Sequence, residues 1–277
     1  LETIYLILRN QMDINETIKD LVAEQQALDD IVAKLDDQMW TTPTSSDRWN
    51  VADQIGHLTY FDNAASLAIT NPEKFQSSMD DLFASAVNGA EASDNFTLGH
   101  YRALTPEFLL AAWREGRENL SNAASTLSNE SRVIWYGPSM GSNSFLTARL
   151  MEVWAHGQDI IDAVGGDRRD TERLRHIAHL GAITRQWSYI NRRLEAPEGD
   201  IYLSLRGPDD QIWTWGPSDA PDSIEGLAKD FCLVATQRRH LGDTELRVKG
   251  EIAKEWMDLA QAFAGPPTDA PTKRSNL

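Results

Sequence analysis

Apolar residues recur at helical spacing through most of the chain. Between residues 13 and 38 they fall three or four apart, which is the period of a helix that buries one face. These positions are Ile14, Ile18, Leu21, Val22, Leu28, Ile31, Val32 and Leu35. The same spacing predicts a second helix, which Asn50 caps and Asn71-Pro72 ends. Two such helices favour packing of helix against helix.

Further amphipathic segments extend this pattern. Thr105-Pro106-Glu107 predicts a helix start, because it offers a capping hydroxyl, a proline at the first position and an acid in the first turn. That helix runs to about Leu127. A loop from Tyr136 to Asn143 leads into a fourth helix, which ends near Gly165-Gly166, and a fifth covers about 171–194. Four or five helices joined by modest loops predict a bundle over residues 12–196.

The remaining segments of the N-terminal part are more polar or shorter. A short accessory helix is predicted over 73–86, and a loop containing His100 over 87–104. Residues 1–11 are interpreted as an extension, because a new helical pattern follows Met12. Their apolar run is too short to span a bilayer. Residues 268–277 are interpreted as a polar tail.

The periodicity changes after Pro197. Apolar and polar residues alternate on both sides of Gly207-Pro208, which predicts a hairpin. Helical and strand patterns then alternate to the end of a small α+β domain, predicted over 197–267. The predicted elements are strands near 201–205, 211–215 and 246–248, and helices over about 222–238 and 251–264. The fold class is therefore mainly α, with a small α+β domain after the bundle.

Charge and cysteine content narrow the functional classes. The 277 residues carry a net charge of -16, so no basic field exists to attract a nucleic acid or an anionic membrane surface. No stretch predicts a transmembrane helix, and the single cysteine, Cys232, forms no intrachain disulfide. We therefore expect a cytoplasmic protein, and any reactive thiol to arrive with a cofactor.

Three side chains are candidates for chemistry. Glu152 and His156 are four residues apart and share one helix face, and His57 lies in a second apolar helix. Two imidazoles and a carboxylate are the ligand set of an open metal site. The alternative is that Glu152 and His156 form an ordinary surface pair. Asp159, three residues after His156, either orients the imidazole or lies on the helix surface.

Two segments of the sequence resemble a known family. Residues 47–58, DRWNVADQIGHL, and residues 151–159, MEVWAHGQD, are similar to the two metal-binding motifs of DinB-like metalloenzymes. The resemblance is to the actinobacterial branch related to mycothiol-dependent maleylpyruvate isomerase. The C-terminal segments 213–217 and 231–240 are also similar to that branch, so the resemblance extends from Met12 to about Pro267.

The resemblance implies a fold and a set of site residues. It implies a four-helix bundle that holds a divalent metal, usually zinc, and a C-terminal α+β domain that helps to close the site. His57, Glu152 and His156 match the metal ligands. An arginine that assists catalysis in the isomerase corresponds to Arg238 or Arg239, and the spacing does not choose between them.

The expected activity is that of a metal-dependent thiol S-transferase or a maleylpyruvate-isomerase-like enzyme. A mycothiol-like thiol would be the cosubstrate and an electrophilic small molecule the substrate. Arg238 or Arg239 would hold a substrate carboxylate or an enolate oxygen. Two alternatives stay open: a hydrolase or lyase that activates water, and a protein that binds a metal or small ligand without turnover. Nickel, iron or manganese also suit the ligand set.

Overall fold

The computed structural model describes residues 13–274, and these form two compact units divided between Gly166 and Asp167. The predicted extension over 1–11 lies outside the described residues. The described helices are long and numerous and the sheets small, so the predicted fold class is confirmed. Among the described residues, no helix combines the length and the apolar character that crossing a bilayer requires.

The first unit is a four-helix bundle with two accessory helices. Helix α1 packs against α6, α2 packs against both α5 and α6, and α1 also contacts α5, so the four helices enclose one core. The accessory helices α3 and α4 pack on α2 and on each other. The helices are α1 (Ile14–Val32), α2 (Val51–Thr70), α3 (Pro72–Ala86), α4 (Ala90–Arg102), α5 (Pro106–Ala124) and α6 (Ser142–Val164).

Local capping explains where these helices begin and end. Asn50 and Asp53 form a capping box, in which each side chain accepts from the backbone N–H of the other residue. Thr105 caps α5 and Pro106 occupies its first position, as predicted. Gly165 ends α6 in the left-handed conformation, with a φ of 70°, which glycine adopts without strain.

A buried polar cluster joins the four bundle helices through one side chain from each. Asp62 of α2 accepts hydrogen bonds from Gln25 Nε2 of α1 at 3.0 Å and from Trp113 Nε1 of α5 at 3.3 Å. Its other oxygen accepts from Arg149 Nη2 of α6 at 2.9 Å. Because the Asp62 side chain is fully buried, these donors replace the water that an ionised carboxylate would otherwise require.

Two sequence predictions for the first unit were wrong. The segment 87–104, predicted as a loop, contains helix α4, and His100 lies exposed on it. The chain before α6 forms an antiparallel hairpin of strands β1 (Arg132–Trp135) and β2 (Gly137–Gly141), where a loop was predicted. Only a few side chains of α4 are buried, so the apolar signal of that helix is weak.

Within residues 167–274, the second unit combines a mixed sheet with four helices. The strand order is β4-β3-β5-β6, with β3 and β5 parallel and the other pairs antiparallel. Helix α7 packs on α9, and α10 packs on β5. The elements are α7 (Leu174–Ile183), α8 (Arg185–Ile190), β3 (Ile201–Arg206), β4 (Ile212–Trp215), β5 (Asp222–Leu227), α9 (Ala228–Ala235), β6 (Arg247–Lys249) and α10 (Glu251–Leu259).

The second unit departs from the sequence prediction in three places. The predicted fifth helix over 171–194 is two shorter helices that belong to this compact unit, which therefore begins before the predicted boundary at 197. Residues 222–227, predicted as the start of a helix, form strand β5. The chain passes from β5 into α9 without a loop, so its apolar residues read as one continuous segment.

Candidate metal centre

The first unit brings His57, Glu152 and His156 together. His57 lies on α2, and Glu152 and His156 lie one turn apart on α6, which packs against α2. Glu152 Oε2 is 3.1 Å from His156 Nε2 and 3.8 Å from His57 Nε2. One ligand atom from each side chain lies within 4.8 Å of the other two. Packing of α2 against α6 therefore brings together side chains that lie far apart in the sequence.

The three side chains are mostly buried but remain reachable. The exposed fractions are 17% for His57, 21% for Glu152 and 10% for His156. Fully buried side chains would admit no external ligand, and fully exposed ones would interact only weakly with one another at the surface. The observed burial fits a site that a small molecule can enter.

Electrostatics favour a charged carboxylate beside a neutral imidazole. Burial, together with the nearby His156 ring, lowers the pKa of His57 to about 4, so His57 is neutral at neutral pH. Burial alone would raise the pKa of Glu152, but interactions with His156 and His57 outweigh burial and hold that pKa well below its usual range. The site thus offers a cation the negative oxygen of Glu152 and, beside it, the neutral imidazole of His57.

Aromatic rings flank His57 on two sides. The Trp49 ring centroid lies 5.0 Å from that of His57 and 6.0 Å from that of His156. The Phe61 ring lies 4.6 Å from His57, one helical turn further along α2. These contacts limit the motion of the His57 imidazole and shield it from water.

A second layer of polar side chains contacts His156. Gln54 Oε1 lies 2.5 Å from His156 Nδ1, and Gln54 Nε2 donates to Thr44 Oγ1 and Ser46 Oγ. No sequence motif singles out Gln54, although its position three residues before His57 places both on one face of α2. Asp159, the partner of His156 that the spacing predicts, lies further away, with its Oδ2 atom 3.8 Å from Nδ1.

Arg238 and Arg239 follow helix α9 in the second unit. Arg238 Nη1 donates to the Thr236 carbonyl at 2.7 Å, and Arg239 Nη1 donates to the Arg238 carbonyl at 2.6 Å. Both make further interactions. Their catalytic role stays a prediction. Cys232, on α9, is buried and donates to the Leu174 carbonyl, and burial raises the pKa of its thiol well above the usual value.

Comparison with known proteins gives three findings. The family model for the mycothiol maleylpyruvate isomerase N-terminal domain matches residues 21–161, just over half of the chain. An uncharacterised protein of Mycobacterium tuberculosis, found in two strains, is 42% identical over 250 residues, which cover 90% of this chain and 96% of that protein. Crystal structures of a mycothiol-dependent maleylpyruvate isomerase and of its mutant also match.

The crystal structures show a shared fold. Their TM-scores are 0.54 for the isomerase and 0.55 for the mutant, at 17% and 15% sequence identity. Each match covers 82% of this chain and 90% of the other. The family-model match and the fold together show that the chain belongs to the DinB-like superfamily, in the branch that carries the mycothiol maleylpyruvate isomerase N-terminal domain.

Proposed function

We propose that this protein is a metal-dependent enzyme, with zinc as the metal, that activates a mycothiol-like thiol for transfer to, or isomerisation of, an electrophilic small molecule. The convergence of His57, Glu152 and His156 carries the proposal. Family membership supports mycothiol as the thiol, because the matched domain is named after an enzyme that depends on it.

The donor atoms suit a divalent cation. Two imidazole nitrogens and one carboxylate oxygen form the protein ligand set of many catalytic zinc sites, which keep a further position open. Glu152 contributes a negative charge that a cation would compensate, while His57 is neutral and can offer a lone pair. Two packed helices hold these groups, so little ordering is needed on binding.

The bound metal would supply the acidity that a thiol needs, because a divalent cation lowers the pKa of a thiol in its open position and so holds it as the nucleophilic thiolate. Trp49 and Phe61 would keep water away from His57 and fix its plane. Cys232 is buried with a raised pKa, so the proposed nucleophile arrives as a cosubstrate.

Arg238 and Arg239 remain the predicted anchors for the electrophile. A guanidinium presents several N–H donors in one plane and binds a carboxylate or an enolate oxygen well. This role would place substrate charge against a fixed cation while the new carbon–sulfur bond forms. Substitution of each arginine in turn would show which of the two binds the substrate.

Zinc content and mycothiol binding test the proposal together. We expect the purified protein to bind zinc stoichiometrically, and calorimetric titration to show saturable mycothiol binding that requires zinc and exceeds that of glutathione. His57→Ala should lose both, whereas His100→Ala should lose neither, because His100 is exposed on α4. Zinc-loaded protein without mycothiol affinity would refute the thiol chemistry, and absence of zinc binding would refute the whole proposal.

A further inference from the structure

Gln54 is a fully buried amide that links the candidate metal centre to the loop before α2. Its Oε1 atom faces His156 Nδ1, and its Nε2 atom faces the hydroxyls of Thr44 and Ser46. A side-chain amide has one end that accepts and one that donates, so its orientation decides which nitrogen of His156 carries a proton.

The loop fixes that orientation. The Thr44 hydroxyl donates its single hydrogen to the Trp49 carbonyl at 3.1 Å, so towards Gln54 it can only accept. Gln54 Nε2, at 2.8 Å, must therefore be the donor to Thr44. The carbonyl end of Gln54 then points towards His156, with Oε1 2.5 Å from Nδ1, and an oxygen acceptor at this place requires Nδ1 to carry the hydrogen.

The tautomer of His156 follows. If Nδ1 of the neutral ring carries the hydrogen, Nε2 has a lone pair, and that lone pair faces Glu152 Oε2 at 3.1 Å. Two acceptors at this distance repel each other unless a proton or a metal ion lies between them. The network thus leaves Nε2 available as a metal ligand and creates a position that a cation stabilises.

We propose that Gln54 is a positioning residue that holds His156 in the Nδ1–H tautomer and thereby sets the metal affinity of the site. The inference rests on the metal site proposed above. Outer hydrogen bonds to a ligating histidine fix both its tautomer and the orientation of its ring. Here the carbonyl of an amide takes that role, and Asp159, whose Oδ1 accepts from Ser45 Oγ, does not.

Two measurements on the full chain test the inference. In metal-free protein, long-range nitrogen–proton spectra of labelled histidines, recorded over a pH series, report which nitrogen of His156 is protonated. Zinc affinity comes from competition with a chromophoric chelator. Gln54→Met keeps the side-chain length but loses both polar ends, and Gln54→Glu retains an acceptor facing His156.

We expect Gln54→Met to shift the tautomer towards Nε2–H and to weaken zinc binding by roughly 10- to 100-fold. Gln54→Glu retains the acceptor for Nδ1–H but loses the donor to Thr44 and Ser46, so it should keep the Nδ1–H tautomer and bind zinc more tightly than Gln54→Met. Asp159→Asn should leave the tautomer unchanged, since its carboxylate is beyond hydrogen-bond distance from Nδ1.

Thr44→Val provides a second route if Gln54→Met does not fold. It removes the hydroxyl that orients the amide without touching the histidine, and Thr44 is only half-buried. We expect a mixed tautomer and a smaller loss of zinc affinity. Unchanged tautomer and zinc affinity in folded Gln54→Met or Thr44→Val protein would overturn the inference. If the natural protein binds no zinc, the proposed function fails, while the tautomer spectra still decide the role of Gln54.

Discussion

At the scale of single residues, helical spacing made part of the candidate site predictable. The i, i+4 relation places Glu152 and His156 on one face, and an apolar helix around His57 predicts that its imidazole points inward. The role of Gln54 is not predictable from sequence, because an amide in a helix is ordinary on a surface. Only the positions of Thr44 and His156 in three dimensions show that both of its ends are satisfied.

Glu152 supplies the negative charge of the site, so its removal is the most direct test at this scale. We expect Glu152→Gln to weaken zinc binding by more than about 100-fold, beyond the effect of losing an outer hydrogen bond. The exposed Glu118→Gln on α5 is the matched control and should bind zinc as the natural protein does. Chelator competition measures both. An unchanged affinity for Glu152→Gln would exclude this carboxylate as a ligand.

At the scale of elements, the long helices were predictable and the shorter ones were not. Bundle helices repeat apolar residues over several turns, and capping residues mark ends such as those of α2 and α5. Helix α4 buries only Asp94, Thr97 and Leu98, so no apolar stripe identifies it. Strand β5 is not predictable from sequence, because its contact with the neighbouring strands β3 and β6, rather than its local sequence, defines it.

A buried carboxylate joins two of the bundle helices. Asp29 of α1 accepts from Arg114 Nε at 2.8 Å and pairs with Arg117 Nη2 at 2.9 Å, both on α5. Burial alone would raise the pKa of Asp29, but the two arginines outweigh burial and hold it below its usual value. A hydrogen bond to a charged group stabilises a fold by about 1.5–3 kcal/mol. The contacts of Asp29 with the two arginines therefore stabilise the packing of α1 against α5.

We therefore expect Asp29→Asn to lower the free energy of unfolding by about 2 kcal/mol at neutral pH. Because the folded-state pKa is depressed, the stabilisation is present above the unfolded pKa and is lost as pH falls through the folded pKa. The difference between variant and natural protein should shrink below about pH 4. Urea unfolding followed by circular dichroism measures it. A difference independent of pH would show that packing, not charge, is responsible.

At the scale of the whole molecule, charge complicates any measurement of metal binding. The chain has 42 acidic against 26 basic residues, and such an excess attracts divalent cations to the surface without a specific site. Surface binding is weak and falls with salt, whereas a three-ligand site holds the metal through direct bonds. Zinc experiments on this protein therefore need a variant that keeps the net charge but loses the site.

His57→Ala meets that need, since His57 is neutral at neutral pH and its removal leaves the charge unchanged. Zinc at about 100 times its Kd should stabilise the natural protein by about 2.7 kcal/mol, which raises the Tm by roughly 5–10 °C for a unit of this size. His57→Ala should shift by less than about 2 °C under the same conditions, because only surface binding remains.

Hydrogen exchange locates the effect within the chain. We expect zinc to slow exchange in peptides from α2 and α6, which carry the ligand set, and to leave the β3–β6 sheet unchanged. Chelation should reverse both the protection and the Tm shift. Equal zinc effects in the natural protein and in His57→Ala would assign the stabilisation to surface charge. Protection confined to the second unit would move the metal away from His57, Glu152 and His156 altogether.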